Sequence, residues 1–438
     1  MAVLDGAIAN VALPTIAKDL GASAAHSVWI VNSYQLTITV LLLPLAALGD
    51  QLGYRRVYIP GLALFTAGSA ACAMAHSLPA LILARVFQGA GAACIMSMNP
   101  ALVRATYPAK TLGRGMGYNA LVLSFSAATG PTLAALILRF GSWPWLFLIN
   151  LPVGVAAVIV SIRATPRAGG HGHPVDWVSA LLSMAMMGCT IFGIETATGK
   201  HPVLGVGLIV VGLASGFALV RREWGDKAPL FPVDLLKIRI FSMSIGTSTV
   251  SFAAQMLAFV TLPFLFQYSY GRTPFATGLL MTPWPLALGV VAPFAGRLAD
   301  RMRAGLIGGI GLAIFAAGLF ALSRLESSPN TLDIAWRMAL CGIGFGLFQS
   351  PNNRTIISSA PRQRSGAAGG MLATARLLGQ TTGAVIVGVT FHMLGVKAAP
   401  QLLAAAGVAA LVAAALSVLR LRSPRTVHRP EAGAPVLD

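Results

Sequence analysis

Residues 46–56 read AALGDQLGYRR, and this stretch decides how the rest of the chain is read. It lies between two long apolar runs and is the first place where polar residues crowd together. Gly49 and Gly53 permit a tight turn, Asp50 supplies a carboxylate, and Arg55 and Arg56 place positive charge just outside the apolar segment. Near the other end of the chain, residues 296–303 read GRLADRMR, again after an apolar run. Asp50 and Asp300 are 250 positions apart. One short loop used twice between apolar helices points to a duplicated membrane protein.

Composition agrees. With 56% hydrophobic residues, 10% charged residues and a mean hydropathy of +0.76, the chain has too little polar surface to cover a water-soluble globule. Its solvent is the lipid bilayer. The net charge of +18 does not indicate nucleic acid, because the basic residues stand in short clusters between apolar runs and form no basic groove with stacking aromatics. Cys72, Cys94, Cys189 and Cys341 fall inside apolar runs without metal-ligand spacing and read as small core residues. No metal or cofactor is expected. The first apolar segment has no basic stretch before it and does not read as a cleavable signal.

A run of about 20 apolar residues crosses the hydrocarbon core, and fourteen such runs can be counted, the first of them short. With the N-terminus placed in the cytoplasm, 22 of the 31 Lys and Arg residues fall in inner loops or the tail. Six fall outside, and Arg85, Arg337 and Arg376 lie within helices. That bias supports an inner-membrane, multi-pass protein with both termini cytoplasmic. The repeated loop separates helices 2 and 3 and helices 10 and 11. Two six-helix bundles then fit only if helices 7 and 8 are an insert. The expected fold is therefore an all-α integral membrane protein. Its domains are an N-terminal bundle over 1–163, a two-helix insert over 164–236, a C-terminal bundle over 237–421 and a tail without ordered structure over 422–438.

Leu48-Gly49-Asp50-Gln51-Leu52-Gly53-Tyr54-Arg55-Arg56 resembles the signature loop between helices 2 and 3 of the major facilitator superfamily, with Ala46 in place of the superfamily's opening glycine. Within that superfamily, the fourteen-helix drug/proton antiporters are the branch that the chain resembles. The run LDGAIANVALP from Leu4 to Pro14 is similar to that branch's first-helix motif, and Trp143 to Pro152, WPWLFLINLP, is similar to its sixth-helix end. Arg85-Val-Phe-Gln88-Gly89-Ala-Gly91 resembles the superfamily's mid-membrane arginine motif. Ser126 to Ala135 resembles its antiporter motif around Gly130 and Pro131, although Ala134 and Ala135 replace two glycines. The resemblance implies a major facilitator fold, proton coupling through Asp5 and Arg85, and Asp50, Gly53, Arg55 and Asp300 as a cytoplasmic gating loop. Each motif also has a plainer reading: a helix-capping Asp5, an Arg85 on backbone carbonyls, small-residue packing at Gly130, and interfacial tryptophans at Trp143 and Trp145.

Of the thirteen acidic residues, only Asp5 and Glu195 can be membrane-embedded, which limits the carboxylates able to carry a proton. An interfacial pair with Lys200 is the plainer role for Glu195. Asp333 and Arg337, four residues apart, suit a helix-surface pair. Arg376 faces carbonyls or Gln380 on this reading. His171 and His173 lie in a Gly-rich loop and read as solvated, with a weak metal site as the other reading. The spacing from Gly193 to Lys200 is wrong for a phosphate loop, so no ATP-driven pump is indicated.

Together these observations imply a secondary transporter, not an enzyme, that works by alternating access. It would export lipophilic, cationic drugs in exchange for protons. Its partners are the small-molecule substrate, protons and the bilayer, with no nucleic acid and no ATP. Polar residues within apolar helices give the expected cavity: Asp5, Tyr34, Arg85, Gln88, Tyr118, Asn119 and Gln255. An exporter of an endogenous metabolite is the second reading, since fold does not fix the ligand. A membrane-embedded enzyme is the third, and only His392 lies inside a helix to serve it. A native N-terminus about ten to twenty residues longer is also expected, because a first helix of roughly 25 Å falls short of a core about 30 Å thick.

Overall fold

The structure is a computed structural model and describes residues 1–108, 112–166, 176–198, 202–224, 231–326, 328–361 and 364–422. The described chain is helical. In order come α1 (Ala2–Asp19), α2 (Trp29–Leu52), α3 (Tyr54–Ala73), α4 (Leu78–Thr106), α5 (Leu112–Phe140), α6 (Asn150–Ala164), α7 (Trp177–Thr198) and α8 (Pro202–Glu223). Then follow α9 (Arg239–Phe264), α10 in two segments (Pro274–Met281 and Pro283–Arg301), α11 (Ala304–Ser323), α12 (Thr331–Ser359), α13 (Ser365–Leu394) and α14 (Ala399–Leu419). Eleven stretches among the described residues are long and apolar enough to cross a membrane. Helices suit that environment because each satisfies its own backbone polar groups where no water can.

Local chemistry sets the ends. The Ser77 and Thr273 hydroxyls accept from the backbone N–H of Ala80 and Ala276, each followed by proline in the first turn, to start α4 and α10. Gly53, at φ 98°, makes the one-residue turn between α2 and α3, a conformation that a side chain would strain. Pro283 divides α10, and Pro263 precedes a five-residue π-helical stretch that extends α9 to Ser269.

The packing repeats at an offset of eight helices. α3 packs on α4, α2 on α4, α1 on α5 and α3 on α6; correspondingly, α11 packs on α12, α10 on α12, α9 on α13 and α11 on α14. The two groups meet along α2–α13, α5–α10 and α1–α9. α7 and α8 lie against each other, and α7 also touches α2 and α13. Val203, Val210, Leu213 and Phe217 of α8 are all more than half exposed, which is appropriate for a helix bathed in lipid. In the second group, Trp284, Phe315, Phe345 and Phe252 form a run of edge-to-face rings with centroids 5.2–5.4 Å apart.

Candidate transport site

Asp5 sits in the first turn and a half of α1 and is 1% exposed. Three donor groups on α4 and α6 surround it. Arg85 Nη1 donates to Oδ2 at 2.5 Å, while Gln88 Nε2 and Asn150 Nδ2 donate to Oδ1 at 2.9 and 2.7 Å. Arg85 and Gln88 reach the same carboxylate because they are three residues apart on one face of α4. Gln88 is held in turn by Ser69 Oγ at 2.8 Å, and its own Oε1 accepts from Arg85 Nη1 at 2.6 Å.

Arg85 is fully buried. Its Nε donates to the Ile30 carbonyl at 3.0 Å, and its guanidinium lies 4.0 Å from the centre of the Tyr34 ring and 5.6 Å from that of Phe147. Tyr34 is fixed by donating from its hydroxyl to the Ala2 carbonyl at 3.0 Å. One donor, Arg85 Nη2, has no partner. The knot thus joins α1, α2, α4 and α6 through one carboxylate and one guanidinium. Asp5 is therefore a buried ion-pair partner and not a solvent-facing helix cap. Arg85 uses both the carbonyl and the carboxylate. Asn150, noted in sequence only as part of a family-like run, is the ligand that sequence reasoning missed. Its signal was an amide embedded in an apolar run.

The other expected cavity residues are less concentrated. Gln255 is part-buried on α9 and makes no hydrogen bond to the knot. Tyr118 and Asn119 lie on α5, and Glu195 lies on α7, with side chains outside the described residues. His171, His173 and Lys200 also fall outside them.

In the loop, Asp50 is exposed at the end of α2, beside the Tyr54 hydroxyl, which also lies near Arg104. Gly49 lies so close to α4 that an added Cβ would stand 2.3 Å from Met98 Sδ. Arg55 donates through Nη2 to the Ile162 carbonyl, tying the start of α3 to the end of α6. Asp300 occupies the corresponding place at the end of α10, its side chain outside the described residues.

Gly130 and Pro131 lie where α5 meets both α1 and α10. A Cβ on Gly130 would fall 2.5 Å from Ala7 Cβ, and one on Gly278 of α10 would fall 2.5 Å from Ala135 Cβ and from the Pro131 carbonyl oxygen. The closeness that the missing glycines would have supplied on α5 is thus supplied from α10 by Gly278. Thr132 and Thr282 share a hydrogen bond of 2.8 Å across the same seam.

Two sequence readings need correction. Trp143 is buried and donates from Nε1 to Asp19 at 2.6 Å, so only Trp145, 58% exposed, suits an interfacial belt. Arg420, counted in the sequence with the basic residues of the tail though inside the 237–421 bundle, is 3% exposed at the end of α14. It donates to Asn352 Oδ1 at 2.5 Å, Ser244 Oγ at 2.9 Å and the Ala304 carbonyl at 3.2 Å. Asp333 and Arg337 pair at 2.8 Å as their spacing suggests.

A family model described as the Major Facilitator Superfamily matches residues 1–222 and 243–437. The chain belongs to this superfamily. It is 51% identical to the uncharacterized transporter YebQ of Escherichia coli (strain K12) over 97% of this chain and 94% of that one. The riboflavin transporter RibZ of Clostridioides difficile (strain 630) is 30% identical over 86% of this facilitator and 82% of its own length. The multidrug resistance protein Stp of Mycobacterium tuberculosis (strain CDC 1551 / Oshkosh) is 31% identical over 89% and 73%. This facilitator is accordingly a multi-pass secondary transporter of small molecules across a lipid bilayer, not an enzyme.

Proposed function

We propose that this facilitator exports lipophilic small molecules in exchange for protons, with Asp5 as the proton-carrying group. The observation that carries the reading is the buried Asp5 carboxylate, held by Arg85, Gln88 and Asn150. A proton on Asp5 removes its charge-assisted bond to Arg85, one of the strong contacts that fix α1 against α4. Protonation and the packing of these helices are then linked, which is what coupling requires. Glu195 is the alternative carrier if Asp5 is silent.

In this reading all fourteen helices cross the inner membrane as two six-helix bundles, 1–163 and 237–421, with 164–236 as an insert and both termini cytoplasmic. The matched pairings of α1–α6 and α9–α14 support it, as does the clustering of Lys and Arg. One bundle rocks on the other along the α5–α10 and α2–α13 contacts, with Gly130 and Pro131 at the first and Asp50, Gly53, Arg55 and Asp300 gating the cytoplasmic face. Tyr34, Gln88, Tyr118, Asn119 and Gln255 belong to the substrate path or its lining.

The expectation of a cationic cargo has little support from the knot, since Asp5 already has three donors. Export of an endogenous metabolite is the second reading, favoured by the likeness to a protein named a riboflavin transporter. The test is solute movement in proteoliposomes under an imposed pH gradient. Uphill movement that collapses with the gradient supports proton exchange; movement indifferent to the gradient rejects it. Drug susceptibility of a deletion strain separates the two kinds of cargo.

A further inference from the structure

The second group of helices carries an arginine that no carboxylate balances among the described residues. Arg376 lies in the middle of α13, a helix packed against α9 on one side and α2 on another. Gly379 and Gly383 mark the α9 side, where added Cβ atoms would stand 2.3 and 2.4 Å from the Thr249 and Ala253 carbonyl oxygens. Thr381, bonded to Thr39 of α2 at 3.1 Å, marks the other. Between those faces runs a stripe of partly exposed residues at helical spacing: Gly369, Ala373, Arg376 and Gln380. Its polar members are Arg376 and Gln380, and Gln380 meets Gln35 of α2 at 3.4 Å. The stripe therefore opens between the two groups, where a major facilitator handles its cargo.

Arg376 Nε is buried without a partner, and the guanidinium rests 5.6 Å from the centre of the Phe252 ring. No carboxylate is bonded to it among the described residues. Asp333 is paired with Arg337, and Asp234 with Arg364. Among the described residues, the buried carboxylates are Glu223 at the end of α8 and Asp5, which belongs to Arg85. Arg420, a buried cation of this half, donates to Asn352, Ser244 and the Ala304 carbonyl. A permanent cation inside a membrane span is costly unless something neutralises it. A site with a free guanidinium and neighbouring neutral amides fits a planar anion.

We propose that Arg376 docks an acidic group of the transported molecule, so that the cargo is a lipophilic weak acid bearing a carboxylate, phenolate or sulfonate on an apolar skeleton. The assignment rests on the reading of the chain as an exporter for its route, though not for its binding site. The anion sits on Arg376 in the second group of helices while the proton sits on Asp5 in the first. The two charges that must be coupled therefore act on opposite sides of the seam that moves.

The test uses the full chain purified in detergent, with fluorescein as the anionic probe, rhodamine 6G as the cationic one and 2-naphthoate as an unlabelled competitor. Binding is read by fluorescence anisotropy and transport in proteoliposomes under a pH gradient. Fluorescein is expected to bind and to be displaced by 2-naphthoate. R376Q should weaken it by about tenfold or more, the scale of losing a charged hydrogen bond. R376K, which keeps the charge, should retain most of the binding and serves as the folding control. Equal binding by wild type and R376Q overturns the proposal, as does failure of both acids to bind the wild type. Arg376-dependent binding without gradient-driven movement would leave the anion site standing and remove the exporter reading.

Discussion

Asp5 and Arg85 meet at 2.5 Å across the contact between α1 and α4, and neither side chain is more than 1% exposed. A buried ion pair is weak evidence for stability, because the cost of removing two charges from water offsets their attraction. Here the carboxylate also takes up amides from two helices, and the guanidinium also reaches a backbone carbonyl. Such a pair is worth keeping where one partner must change its charge during a cycle.

Asp5→Asn is expected to abolish gradient-driven export while leaving the protein in the membrane. It leaves Arg85 as an uncompensated buried cation, so stability should fall as well, by about 3–5 kcal/mol on the scale of broken buried pairs. The checks are uptake in proteoliposomes and thermal unfolding in detergent. Full uphill transport by the Asn variant would shift attention to Glu195.

Asp50→Ala should slow turnover without weakening substrate binding, because Asp50 is exposed at the end of α2 and remote from the Asp5 knot. The kcat falls and the Kd stays within about twofold, a difference of a few tenths of a kcal/mol. Asp300→Ala should have the smaller effect, since its loop lacks a glycine matching Gly53. A large loss of affinity in the Asp50 variant would contradict a gating role.

Much of this was legible in the sequence. The apolar runs located the helices, because lipid imposes a length that survives without any contact information, and the repeated Asp50 and Asp300 loops marked the two matching groups. Asp5 and Arg85 stood out because charges in apolar runs are rare. Partners are harder to read. Asn150 joins the site only because α6 packs on α3 and brings its first turn beside α1, a long-range contact with no local signature. Arg420 stands at the head of a basic run and has no signal of burial in the sequence, yet the end of α14 folds it against Asn352 and Ser244. Gly278 was invisible for a similar reason: its meaning lies in Ala135, on a different helix.

The Asp176–Arg222 pair, at 3.0 Å, joins the turn before α7 to the last turn of α8. Hydrogen bonding from Arg222, with help from Ser179, holds the Asp176 carboxyl down to about 2. A depressed carboxylate stabilises the fold above its unfolded pKa, and the contribution is lost as pH falls from about 4 towards about 2. Both side chains are 40–49% exposed, so solvent screens the pair. Asp176→Asn is expected to cost no more than about 1 kcal/mol at neutral pH, and less in high salt. Thermal unfolding at two salt concentrations checks this; a large loss insensitive to salt would give the pair a structural weight that its exposure does not suggest.

The seam between α5 and α10 gives the sharpest contrast within one helix. At Gly278 an added Cβ would stand 2.5 Å from both Ala135 Cβ and the Pro131 carbonyl oxygen, whereas at Gly289, on the same helix, it would meet nothing within 4 Å. Gly278→Ala must therefore push α10 away from α5 or bend one of them, at about 1–3 kcal/mol for an overpacked contact. Gly289→Ala should be neutral or stabilising, by up to about 1 kcal/mol from helix propensity. If the two groups rock along this seam, the Gly278 variant disfavours the conformation in which α5 and α10 touch and slows turnover. Its substrate affinity changes less than its rate. Transport rates and unfolding temperatures of the two variants, measured side by side, decide the point. Indistinguishable variants would mean that the α5–α10 contact is not part of the moving seam.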